Sequence, residues 1–140
     1  MMQTRGTSSE FILFSLVGAG GFCVDAGMLY VCSFVLYLDP YVGRLISYLL
    51  AATTTWHLNR RFTFPHATAA TLPHRQWAKF VASNAIGGII NYGVYAAIIA
   101  NVSHTPAALM LAVAAGSLSG LVFNFFVSKL YVFKKTCEDG

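Results

Sequence analysis

The chain contains one stretch of itself twice. Phe14-Ser-Leu-Val-Gly18-Ala-Gly-Gly21-Phe-Cys-Val-Asp25-Ala-Gly27 aligns without a gap on Phe80-Val-Ala-Ser-Asn84-Ala-Ile-Gly87-Gly-Ile-Ile-Asn91-Tyr-Gly93. Further along, Asn59-Arg60-Arg61-Phe62-Thr63-Phe64 aligns on Ser128-Lys129-Leu130-Tyr131-Val132-Phe133. A fixed internal period restricts the fold more than any local propensity does, because both copies must adopt one supersecondary unit. Each copy is two apolar segments long, so the two copies run in the same direction through their surroundings.

Those surroundings are lipid. Hydrophobic residues make up 56% of the 140 residues and charged residues 10%, with a mean hydropathy of +0.62. A single soluble core of this size cannot conceal so much apolar surface. A spanning helix needs about 20 mostly apolar residues, and the stretches 11–37, 41–56, 80–100 and 106–127 meet that need, the second carrying Arg44. The expected fold is an all-α integral membrane protein of four transmembrane helices, built as two parallel two-helix repeats. Repeat 1 covers about 11–64 and repeat 2 about 80–133, with a loop at 65–79, and residues 1–140 form a single domain.

Basic residues set the orientation. Arg5 precedes the first segment; Arg60, Arg61, Arg75 and Lys79 surround the central loop; Lys129, Lys134 and Lys135 follow the last segment. The positive-inside rule then places both termini and the central loop in the cytoplasm, an N-in/C-in protein of the cytoplasmic (inner) membrane. A cleaved signal peptide is disfavoured by the length of the first segment and by Asp25 at its centre. The net charge of +4 and pI near 9.1 do not call for nucleic acid, since the basic residues sit where that rule puts them. Cys23, Cys32 and Cys137 lack the spacing of a disulfide framework or a zinc site, and His57, His66 and His74 are irregularly spaced with no carboxylate among them. No metal or other cofactor is expected. Residues 1–10 and 136–140 are polar and are expected to be disordered. Asp39-Pro40 and Thr105-Pro106 mark the short external turns. Trp77 is expected to anchor the central loop at the lipid interface.

The polar residues inside the apolar segments carry the functional argument. Asp25 lies near the bilayer midplane, where a charge costs roughly 3 kcal/mol on insertion scales and usually marks a cavity or a partner. A bonded packing role is its alternative. Gly18, Gly21 and Asp25, spaced i, i+3, i+7, share one helical face, and Asn84, Gly87 and Asn91 repeat that face in the third segment. The two faces are expected to meet, either as plain packing or around a polar cavity. A second ridge, Ser47, Ala51, Thr55 and Asn59, matches Gly116, Gly120, Asn124 and Ser128, with small residues placed for close helix approach. Arg60, Arg61 and Lys129 form a basic rim beside aromatic residues, suited either to a lipid phosphate or to ordinary interfacial anchoring. Arg44 either snorkels outward and pairs with Asp39, or reaches inward toward Asp25 as an external phosphate contact.

With these residues assembled, Val17-Gly18-x-x-Gly21-Phe22-x-Val24-Asp25, Trp56-x-x-Asn59-Arg60-Arg61-Phe62-Thr63-Phe64 and the echo Asn124 to Phe133 resemble the GtrA-like family across about 11–133. The resemblance implies a small four-helix membrane protein of cell-surface polysaccharide synthesis. Such proteins move polyprenyl-phosphate-linked sugars or assist the glycosyltransferases that make or use them. It implies Asp25, Asn59, Arg60 and Arg61 as motif positions; Ser128 and Lys129 depart from Asn-Arg in the second copy.

The leading expectation is a flippase for a polyprenyl phosphate, free or glycosylated. Arg60, Arg61, Lys129 and Arg44 would bind the phosphate, and Asp25, Asn91, Thr55, Asn59, Asn84 and Asn124 would form the polar path. The alternatives are a non-catalytic adaptor of a membrane glycosyltransferase and a proton-coupled exporter of small cations. No nucleophile–base pair, metal cluster or phosphate loop suggests an enzyme. Four thin helices with glycine faces also suggest a homo-oligomer, a dimer in the first instance.

Overall fold

The computed structural model describes residues 5–67, 72–102 and 105–133. Helix α1 (Thr7–Tyr30) continues into a π-turn at Val31–Val35, and α2 (Pro40–Leu58) continues into another at Asn59–Thr63. A short 3-10 turn, Pro65–Ala67, leads toward α3 (Pro73–Asn101); α4 (Pro106–Val127) ends in a third π-turn, Ser128–Val132. No strand occurs among the described residues.

Local chemistry explains the boundaries. Pro73 and Pro106 occupy first-turn positions, where a missing N–H costs nothing. Thr105 accepts a hydrogen bond from the Ala108 N–H at 3.2 Å and caps α4. Between α1 and α2, Tyr37 takes a left-handed φ of 51°, the sharpest backbone feature of that turn. The π-turns closing α2 and α4 fall at matching places in the sequence alignment. In each, the N–H of the phenylalanine reaches back five residues: Phe64 to Asn59 O and Phe133 to Ser128 O, both at 2.7 Å.

The buried core is aromatic and sits at the end of the molecule where these π-turns lie. Phe14, Phe64, Phe80, Phe125 and Phe133 cluster there with Ala67 and Val132. Phe64 and Phe133 stack at 4.9 Å and 19°, Phe80 meets Phe133 edge-on at 5.8 Å, and Phe14 meets Phe125 edge-on at 5.7 Å. Each such pair adds about 0.5–1.5 kcal/mol beyond its burial. In lipid, where apolar burial alone drives little, close packing of this kind holds helices together.

Elsewhere the helices present Phe22, Ile89, Leu111 and Leu118 outward, the surface of a protein solvated by hydrocarbon. Among the described residues, three helical stretches are long and apolar enough to cross a membrane: Thr7–Val35, Pro73–Asn101 and Ala114–Val132. At 19 residues α2 has the length but not the apolarity, since it carries Arg44, Ser47, Thr53, Thr54, Thr55 and His57.

The structure changes two sequence expectations and decides between the alternatives of a third. The N-terminal disorder expected for residues 1–10 gives way to helix from Thr7, because Glu10 is buried and pairs with Lys129 at 2.7 Å. The central loop is shorter than 65–79, because α3 begins at Pro73 and takes in His74, Arg75 and Trp77. Of the two readings of the matched glycine faces, plain packing gives way to the cavity: Gly18, Gly21 and Asp25 line one hollow with Asn84 and Asn91, and Gly21 and Gly87 do not pack on each other. Each helix packs on its neighbour in its own hairpin, so Gly21 lies against Thr55 and Gly87 against Asn124. The tail at 136–140 lies outside the described residues, as do His104 and Cys137.

Candidate functional site

The two hairpins touch closely at the aromatic end and part above it, enclosing a cavity of about 410 Å³. Its floor is Phe14 and Phe80. Its walls carry polar groups from all four helices: Asp25 from α1; Arg44, Tyr48, Thr55 and Asn59 from α2; Asn84 and Asn91 from α3; Asn124 from α4. Every residue expected along the polar path therefore lines one hollow, together with Arg44.

An ion pair spans α1 and α2 inside this cavity. Arg44 Nη1 donates to Asp25 Oδ2 at 2.6 Å, with the Asp25 side chain 17% exposed and that of Arg44 56% exposed. Arg44 thus turns inward to Asp25, and Asp39 accepts the Val42 N–H at 3.4 Å. The other carboxylate oxygen, Asp25 Oδ1, is buried without a hydrogen-bond partner, and so is Asn124 Oδ1. Unsatisfied polar atoms cost more in low dielectric than in water; of the two, Asn124 Oδ1 is packed against Gly87.

Deeper in, Asn59 is fully enclosed and accepts a hydrogen bond from Thr63 Oγ1 at 2.8 Å across its π-turn. Asn84 donates to Phe80 O at 2.9 Å, and Thr55 donates to Ala51 O at 3.0 Å, so both are satisfied by their own helices. Asn91 is held against α4: a Cβ on Gly116 would lie 2.5 Å from the Asn91 carbonyl oxygen and 2.6 Å from Asn91 Oδ1. Only glycine allows that approach.

The basic rim lies apart from the cavity, around the aromatic end. Arg60 rides over the Trp56 ring at 5.5 Å, and Lys129 over the Phe125 ring at 5.9 Å. Arg61 lies against Phe62 at 5.7 Å. Lys129 is also engaged by the Glu10 carboxylate and by Thr7 Oγ1, each at 2.7 Å. Arg5 donates to the Phe62 carbonyl, drawing the start of the chain to the same rim.

Two contributors escaped the sequence reading. Tyr48 lines the cavity one helical turn past Arg44, where an i, i+4 neighbour of a pore-facing residue belongs. Glu10 falls on Gln76 when the register of Phe14 and Phe80 is extended four residues back, and both are buried. Gln76 accepts a hydrogen bond from Trp56 Nε1 at 3.2 Å, as Glu10 serves Lys129.

No curated protein matches the chain. The sequence profile of one family, described as "GtrA/DPMS, transmembrane domain", matches residues 13–135, which takes in the cavity, the Asp25–Arg44 pair and the rim. With that span covering nearly all of the described structure, the chain belongs to the GtrA/DPMS transmembrane-domain family.

Proposed function

We propose that the protein carries a polyprenyl phosphate, free or sugar-linked, across the cytoplasmic membrane for cell-surface polysaccharide synthesis. Family membership associates the chain with polyprenyl-phosphate-sugar processes. The observation that carries the reading further is the cavity, a polar hollow with an internal ion pair inside an otherwise apolar bundle.

In this reading all four helices span, as two parallel repeats with both termini and the basic rim in the cytoplasm. The stacking of equivalent residues Phe64 and Phe133 supports a pseudo-two-fold relation between the repeats, which this reading places along the membrane normal. Arg60, Arg61 and Lys129 receive the phosphate at the rim. The sugar passes Asn59, Thr55, Asn124, Asn84, Asn91 and Asp25 by exchanging hydrogen bonds, and Arg44 meets the phosphate at the outer end. The chain acts without covalent chemistry of its own, beside a membrane glycosyltransferase and as a homodimer.

The test is transport by reconstituted protein, with Asp25→Ala compared with wild type. Transport should fall by at least about tenfold, roughly 1.4 kcal/mol of lost coupling, while protein abundance stays near wild type. Undiminished transport by the variant would leave Asp25 a packing residue and favour an adaptor role.

A further inference from the structure

Two seams flank the cavity, one between α2 and α3 and one between α1 and α4. The α2–α3 seam is bridged from Trp56 up to Tyr48 on α2, by bonds that land on Gln76, Trp77 and Val81 near the start of α3. Tyr48 Oη donates to Val81 O at 3.3 Å, Trp56 Nε1 to Gln76 Oε1 at 3.2 Å, and Trp77 Nε1 to Thr53 Oγ1 at 3.0 Å. Across the α1–α4 seam, the hydrogen bonds, ion pair and ring contacts seen among the described residues all fall at the basic end: Lys129 with Glu10 and Thr7, and Phe11 and Phe14 with Phe125.

Above that end the α1–α4 seam opens. Ser15, Gly18 and Ala19 face Ser117 and Leu121 around a second hollow of about 380 Å³. Gly18, Asn84, Asn91, Leu121 and Asn124 line both hollows, so the two adjoin. A Cβ on Gly18 meets no atom within 4 Å. At the junction lies Asn124, whose buried Oδ1 has no hydrogen-bond partner.

The internal repeat shows why the seams differ. The register that puts Phe14 on Phe80 and Phe64 on Phe133 also puts Ser15 on Val81 and Ser117 on Tyr48. Where one seam has a tyrosine reaching across to a carbonyl, the other has two small serines. Ser15 donates to Phe11 O of its own helix at 2.8 Å, so it adds no stitch.

We propose that the α1–α4 seam is a lateral portal, through which the polyprenyl chain of a lipid phosphate rests in the bilayer while its head group occupies the polar cavity. This rests on the carrier reading above. A long apolar tail has no place among Asp25, Arg44 and the asparagines, and desolvating those groups against it would be costly. It must leave the cavity sideways, and this is the side on which small residues replace bridging ones. The stitched α2–α3 seam acts as the fixed wall.

The experiment uses full-length protein in vesicles of phosphatidylethanolamine and phosphatidylglycerol, with a polyprenyl phosphate carrying a diazirine in its tail as the probe. After irradiation, labelled positions are mapped by peptide mass spectrometry in wild type, Ser117→Tyr and Gly27→Phe. Gly27 has open space around it and lines neither hollow, so it controls for surface bulk. Wild type should be labelled around Ser15, Ala19 and Ser117. That labelling should fall about tenfold in Ser117→Tyr, the usual scale of a steric misfit in a fitted site, and persist in Gly27→Phe. Labelling around Thr53 and Val81 instead would overturn the portal and leave the carrier reading intact. Labelling of neither seam would overturn both. If Ser117→Tyr does not fold, the wild-type map alone decides.

Discussion

The two hairpins share a packing plan and differ in what they do with it. In α3–α4, Gly116 and Gly120 let the backbones close, and an added Cβ would lie 2.5 Å from Asn91 O or 2.8 Å from Gly87 O. In α1–α2 the aligned positions are Ser47 and Ala51, and what remains is the side-chain contact both hairpins share, with a Cβ on Gly21 falling 2.1 Å from Thr55 Cγ2 as one on Gly87 would fall 2.0 Å from Asn124 Oδ1. The looser hairpin holds the Asp25–Arg44 pair, whose aligned positions in the tighter one are Asn91 and Val113. One hairpin has become a brace and the other holds the charges. In this chain the close glycine contacts and the ion pair fall in different hairpins.

That contrast can be broken by substitution. Gly116→Ala forces a Cβ against a carbonyl oxygen that cannot rotate away, so it should lose about 1–3 kcal/mol of stability, the usual cost of overpacking. Gly21→Ala meets only a threonine methyl, and Gly21→Ala combined with Thr55→Ala should recover most of its smaller loss. Thermal unfolding in detergent, followed by size-exclusion fluorescence, checks both. Equal losses, with no rescue by Thr55→Ala, would mean the hairpins are packed alike.

A smaller effect sharpens the comparison at the rim. Lys129 is held by the Glu10 carboxylate, whereas the position aligned with Glu10 is the neutral Gln76. Glu10→Gln makes the second rim site resemble the first. It should cost about 1 kcal/mol, between an exposed pair and a buried one, and the loss should shrink in the Lys129→Gln background. The same unfolding assay run as a double-mutant cycle measures the coupling.

Much of this was legible because the chain repeats. Asp25, Asn91 and Asn124 stand out as polar residues at matched depths in apolar segments, and all of them line the cavity. The partner of each glycine face was not legible: an i, i+3 face suits any neighbouring helix, and only the short hairpin turns decide that Gly21 meets α2 rather than α3. The start of α3 was hidden by His74, Arg75 and Lys79, polar residues that read as loop until Gln76 is seen buried against Trp56. Tyr48 and Glu10 were hidden for the opposite reason, one resembling an ordinary interfacial aromatic and the other part of a polar leader.

The central claim is that a lipid phosphate is held by this bundle, with the first-copy rim as its cytoplasmic site. The most direct measurement is mass spectrometry of the lipids that copurify with wild type and with the double variant Arg60→Gln, Arg61→Gln. Polyprenyl phosphate, free or glycosylated, should be retained by wild type and lost from the variant while both remain folded. Folded wild-type protein that retains none would contradict the claim.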